Sequence, residues 1–178
     1  MILIDPLLEL SPALAATSGA KLPSVRTLAR FLAQAQAAAR LRGEVTVLLA
    51  NDAAMRDLNR RFRGKNKPTD VLSFPVSDHV QSEEKGDLAI SVETALRQSA
   101  EQGHSLATEL KVLMLHGVLH LAGYDHETDT GQMHRRERTL RARLGLPLGL
   151  IERTESQSAS QQVSPSARGR RPARSPRI

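Results

Sequence analysis

From residue 1 to about residue 151, apolar positions switch between helical and strand spacing, and beyond that point the pattern stops. Pro23 and Ser24 open an amphipathic stretch that predicts a helix reaching about Arg40. Glu44 to Ala50 (EVTVLLA) is β-branched and apolar between Gly43 and Asn51-Asp52, and predicts a strand. Asn51 suits the N-cap of a helix with Met55, Leu58 and Phe62 at helical spacing, and Gly64 to Pro68 reads as a polar loop. Asp70 to Phe74 predicts a short strand that stops at Pro75, and Asp87 to Ser91 predicts another. Val92 to Gln102 is helical. Ser105 then caps the most apolar helix, with Glu109 in its first turn. Leu110, Val112, Leu113, Met114, Leu115, Val118, Leu119 and Leu121 surround that helix, which predicts a buried central element. Asp129 suits the cap of a last helix with Met133, Leu140 and Leu144 on one face, stopped by Gly145 and Pro147. Met1 to Ile4 adds an edge strand. The expected fold is α+β, a small mixed β-sheet packed with helices around the buried central helix.

The tail changes how the charge is read. Residues 153–178 are rich in Ser, Gln, Pro, Ala and Arg, and bury too little apolar surface to offset their ordering entropy. We expect a single catalytic, metal-binding domain over residues 1–152 and a disordered Arg-rich tail over 153–178. The net charge is +6, but Arg168, Arg170, Arg171, Arg174 and Arg177 lie beyond the last acid, Glu155, which leaves the body near neutral. Basicity is therefore weak evidence that the folded body binds nucleic acid. The tail arginines suit RNA phosphates, a solvated end being the plainer reading. With no internal repeat and only 2% aromatic residues, Leu, Val, Ile and Ala must fill the core.

There are no cysteines, which excludes disulfides, thiolate nucleophiles and Cys-based metal sites. The first residues carry Asp5 and Glu9 and no basic cluster, and no apolar run reaches the roughly 18–20 residues of a membrane span. These features lead us to expect a cytoplasmic protein with no membrane partner.

The chemistry concentrates in His116-Gly117-Val118-Leu119-His120-Leu121-Ala122-Gly123-Tyr124-Asp125-His126. Positions 116 and 120 lie one turn apart on the same helical face. Gly123 can adopt the left-handed conformation that ends a helix, and a chain turning there can bring back His126. Three His ligands leave a fourth tetrahedral position for water, the pattern of catalytic zinc, although other divalent ions also suit three imidazoles. Hydrogen-bonded core histidines and a metal-free catalytic His pair are the alternatives. Such a metal makes hydroxide available near neutral pH and polarises a carbonyl or phosphoryl oxygen, so the expected reaction is hydrolysis or displacement at phosphorus. The spacing H-x-x-x-H-x-x-G-x-x-H matches a metzincin frame, except that Gly117 stands where a protease has its general-base Glu. Asp125, Glu127 or Asp129 can substitute, or can hydrogen-bond the ligand side chains from behind, or can simply cap helices and meet solvent. His79, His104 and His134 lack metal spacing and read as ordinary histidines.

This His segment resembles the signature of the bacterial YbeY family, metal-dependent endoribonucleases of ribosomal RNA maturation. Leu58-Asn59-Arg60-Arg61-Phe62-Arg63, running into Lys67-Pro68-Thr69-Asp70-Val71-Leu72-Ser73-Phe74-Pro75, and Gly86-Asp87-Leu88-Ala89-Ile90-Ser91 agree with it, over roughly residues 40–147. The resemblance implies a zincin-like α+β fold with one zinc per chain held by His116, His120 and His126. It implies single-stranded RNA as substrate, and a role in small-subunit ribosomal RNA processing and ribosome quality control. The implied partners are ribosomal RNA, the small ribosomal subunit and assembly-factor proteins, with oligomeric state open. Arg60 and His116 are the implied catalytic residues. Arg60 suits a bidentate phosphate clamp, a plain surface arginine being the alternative. Thr69 and Asp70 line the cleft or merely turn the chain, and Tyr124 stacks a base or packs beside the metal. The Arg-rich extension departs from shorter members. A zincin-like peptide or amide hydrolase and a non-enzymatic, metal-stabilised ribosome assembly factor are the competing functions.

Overall fold

The structure is a computed structural model that describes residues 1–10, 21–76, 83–125 and 129–148. One compact unit spans Met1–Pro147, and the rest of the chain, Leu148–Ile178, forms a separate unit. The tail expected over 153–178 lies outside the described residues, as does His79.

The fold is mixed α and β. Strand β1 (Ile2–Ile4) is followed by a 3₁₀ turn (Pro6–Leu10), helix α1 (Val25–Ala39), β2 (Glu44–Ala50) and α2 (Asp52–Arg63). Then come β3 (Val71–Pro75), β4 (Glu84–Ser91), α3 (Val92–Gln102), α4 (Leu106–Leu121) and α5 (Gln132–Arg143). The sheet order is β1-β2-β4-β3, with β1, β2 and β4 parallel and β3 antiparallel to β4. Pro75 ends β3 within the ladder, opposite Gly86, and is tolerated because β3 is an edge strand. β4 begins three residues before the predicted Asp87. Its polar start is recruited by β2, since Glu84 pairs with Glu44 across a register shift.

Local sequence explains most boundaries. Ser24, Asn51, Ser91 and Ser105 each accept a hydrogen bond from the backbone N–H three residues on, capping α1 to α4. Helix α5 differs. Its N-cap position is Gly131, which has no side chain to cap with. Asp129 does the work from two residues further out, accepting from the N–H groups of Gly131, Gln132 and Met133. Burial pushes α4 to the centre: Leu110, Met114, Leu115, Val118 and Leu119 are all fully enclosed. Helix α4 packs against β3 and β4 and against α1, α3 and α5. The packing is so close at Gly117 that an added Cβ would lie 2.7 Å from Leu88 Cδ2.

The parallel pairing of β2 with β4 sets Ala50 opposite Ser91, so α2 and α3 start side by side. Two positive helix ends then share two carboxylates. Glu93 accepts from the Asp52 N–H at 2.8 Å, while Asp52 accepts from Ser91 Oγ and Thr94 Oγ1 and pairs with Arg97 at 2.9 Å. Burial pushes the Asp52 carboxyl up, but these hydrogen bonds and the Arg97 charge outweigh it and hold the group below the usual range. This knot fixes where α2 begins, and so where its last turn arrives. Among the described residues, no helix is long and apolar enough to cross a membrane.

Candidate metal centre and cleft

Helix α4 delivers His116 and His120 to the floor of a cleft of about 990 Å³. Their rings meet edge to face with centroids 4.8 Å apart, and their Nε2 atoms are 3.2 Å apart. The next residues turn at once. Gly123 has φ +86°, its N–H bonds to the His120 carbonyl, and the Tyr124 N–H reaches back to Leu119. A left-handed glycine therefore ends the helix where the spacing predicts it. His126 and Glu127 lie outside the described residues.

A carboxylate on α5 sets the orientation of His116. Glu137 Oε2 is 3.1 Å from His116 Nδ1, and Glu137 Oε1 accepts two hydrogen bonds from the Arg141 guanidinium, at 2.9 Å from Nε and 2.5 Å from Nη2. Burial drives the Glu137 carboxyl up, but the His116 hydrogen bond and the Arg141 charge prevail and bring it down to about 2. Glu137 is therefore ionised at neutral pH and can only accept. The proton of a neutral His116 ring then sits on Nδ1, and Nε2 keeps its lone pair. A carboxylate that accepts from the far ring nitrogen orients metal-binding histidines in this way.

The two Nε2 atoms fit a cation. Their 3.2 Å separation is a hydrogen bond if His120 carries its proton on Nε2, and a chelating bite if both present lone pairs. Two nitrogens each at about 2.0–2.1 Å from a tetrahedral zinc lie roughly 3.3 Å apart. Among the described residues, no three His, Cys, Asp or Glu side chains converge on one point, so two nitrogens are all that they offer a cation here.

The cleft gathers some predicted residues and leaves others out. Thr69, Asp70, Tyr124 and Asp125 line it. Asp70 also turns the chain, accepting from the Val71 N–H at 2.8 Å and from Gln98 Nε2 at 3.1 Å, so it does more than turn the chain. Tyr124 packs against the core as well. Asp129 is a helix cap. His104 pairs with buried Glu109 at the other end of α4. His134 is exposed on α5. Arg60 sits in the last turn of α2 but does not line the cleft; it pairs with Asp57 at 3.3 Å, both side chains 64% exposed. Phe62 and Arg63 from that turn do line it.

Sequence reasoning missed Glu137, Arg141, Phe62 and Arg63 as site residues. A signal existed for the first two: Glu137 is the only acid among five arginines in α5, and Arg141 follows it by one helical turn.

Comparison with known proteins agrees over the same residues. A family model described as endoribonuclease YbeY matches residues 19–145, which includes helix α1 as well as the three blocks above. The chain is 53% identical over 131 residues to a protein named endoribonuclease YbeY from Koribacter versatilis, covering 74% of this chain and 84% of that one. It is 53% identical over 109 residues to the one from Solibacter usitatus, covering 61% and 71%. A third, from Moorella thermoacetica, is 46% identical over 134 residues, covering 67% and 86%. On this evidence the chain belongs to the endoribonuclease YbeY family.

Proposed function

We propose that this chain is a zinc-dependent endoribonuclease that cuts single-stranded RNA in the cytoplasm. It acts on ribosomal RNA of the small subunit, in maturation and in ribosome quality control. The observation that carries the reading is the His116–His120 pair, its Nε2 atoms 3.2 Å apart and facing a cleft, in a chain whose relatives are named endoribonucleases. His116, His120 and His126 would hold the metal. A divalent cation there supplies Lewis acidity, polarising a phosphoryl oxygen and acidifying a water.

The rest is the work of the chain itself. Glu137 holds the His116 ring in one tautomer and one orientation, and Arg141 holds Glu137. Arg63, on the cleft wall, and Arg60, exposed in the same turn of α2, grip phosphates of the RNA backbone and favour the extra negative charge of the transition state. Gly117 leaves no carboxylate where a zincin protease needs one, which favours phosphodiester over peptide substrates.

The test is direct. Zinc-loaded protein should cut an unstructured RNA and spare the same RNA in duplex form and casein. Casein cleavage with intact RNA would refute the assignment. Products ending in 2′,3′-cyclic phosphate would identify the RNA 2′-hydroxyl as nucleophile; simple 5′-phosphate ends would identify water.

Glu137→Gln supplies a further check. The amide keeps the shape but loses the charge that fixes His116, so zinc affinity should fall about 10–100-fold in a calorimetric titration. Unchanged affinity would mean that Glu137 does not position the ligand.

A further inference from the structure

The protein has only three Phe, one Tyr and no Trp. Phe31 is buried in the core. The other three aromatics, Phe62, Phe74 and Tyr124, all line the cleft that holds the His pair. Phe62 is the unusual one. It is 55% exposed, against the hydrophobic tendency of a phenyl ring. Its ring is braced by Phe74 from the edge strand β3, with centroids 5.0 Å apart and planes at 67°. It is also embedded in positive charge: Arg60, Arg61 and Arg63 share its helical turn, Lys65 and Lys67 follow, and no acid lies between residues 58 and 69. The Arg61 guanidinium lies 5.4 Å from the Phe62 centroid.

An exposed, braced aromatic ring within a cationic run matches a ligand that is both anionic and flat. A single-stranded nucleic acid is such a ligand, because each unpaired base offers a π face and each linkage a phosphate. An apolar peptide would gain nothing from the five cations. Resting on the ribonuclease reading above, we propose that Phe62, braced by Phe74, is a stacking subsite for one unpaired nucleobase of the RNA, close to the phosphate held at the His pair. The subsite supplies a physical reason for single-strand preference, since a base inside a duplex is already stacked on its neighbours and does not reach the ring.

A side chain–base cycle tests this. Binding is followed by fluorescence anisotropy of a single-stranded 2′-O-methyl RNA decamer, and of decamers with one abasic position moved along the strand. Full-length, zinc-loaded wild type should show one position at which the missing base weakens binding roughly tenfold. Phe62→Ala should weaken binding of the intact decamer by a similar factor and erase that positional penalty. Phe62→Trp should restore both, and Phe62→Leu, which keeps apolar volume without a flat π face, should not. Cleavage of ordinary RNA by Phe62→Ala should lose mainly in KM, with kcat nearly kept. Phe62→Leu binding like wild type, or a penalty that persists undiminished in Phe62→Ala, would overturn the stacking subsite while leaving RNA cleavage by wild type intact. Wild type that neither binds nor cuts single-stranded RNA would overturn the ribonuclease reading and the subsite with it.

Discussion

Replacing His120 with alanine should reduce zinc from about one atom per chain to near none and cut RNA cleavage on the order of 10³-fold or more, because a lost ligand must cost more than the 10–100-fold of a lost orienting partner. The effect is large because the site spends its geometry on two rings. His120 supplies one of the two Nε2 atoms 3.2 Å apart, and the other belongs to His116, whose ring Glu137 orients through Nδ1. Elemental analysis of the purified variant beside wild type reads the first quantity, and a single-stranded RNA assay reads the second. The melting temperature should change far less than the activity, because Leu110, Met114, Leu115 and Leu119 anchor α4 in the core. If the variant, or chelated wild type, unfolds as readily as it loses activity, the metal is a structural staple and the assembly-factor role gains. A variant that keeps full zinc would remove His120 from the ligand set.

The second large effect concerns the glutamate that the His frame lacks. Gly117→Glu restores the zinc-protease pattern in sequence, and we expect it to unfold the protein instead of creating a peptidase. A Cβ at position 117 would sit 2.7 Å from Leu88 Cδ2 and 2.9 Å from Cδ1, and Leu88 is only 1% exposed. Overpacking of this kind costs roughly 1–3 kcal/mol, the range expected for Gly117→Ala. A carboxylate buried there without a partner adds several kcal/mol more. Together these approach the ~5–15 kcal/mol that holds a typical domain folded. Denaturant unfolding of both variants measures the difference. If Gly117→Glu melts like wild type, the helix face toward β4 is not closed, and if it cuts casein, the protease frame is functional.

The same glycine shows how the site was partly legible and partly not. The spacing of His116, His120 and Gly123 encodes a helical face followed by a left-handed stop, both local properties of the backbone, and the turn occurs where it should, with φ +86° at Gly123. Gly117 reads in sequence only as a missing base; its packing role depends on how close β4 lies, a distance no local pattern contains. Arg60 illustrates the opposite case. Its block in the chain points to a cleft residue, yet the cleft wall takes only Phe62 and Arg63 at the very end of α2, and Arg60, one turn earlier along the axis, lies beside Asp57. A short exposed bridge of that kind contributes little to stability, so the Arg60 side chain stays available.

By itself, the chain order determined the caps at Ser24, Asn51 and Ser105, the buried character of α4, the edge strand β1, and the two imidazoles on one helical face. These follow from hydrogen bonding and periodicity over a few residues. Tertiary structure decided that β4 starts early against β2, that Glu137 arrives at His116 from 21 residues away, and that three of four aromatic rings meet in one cleft. Those are contacts between distant segments, set when apolar faces pack and polar groups find partners, and that global match leaves no periodic trace in the sequence.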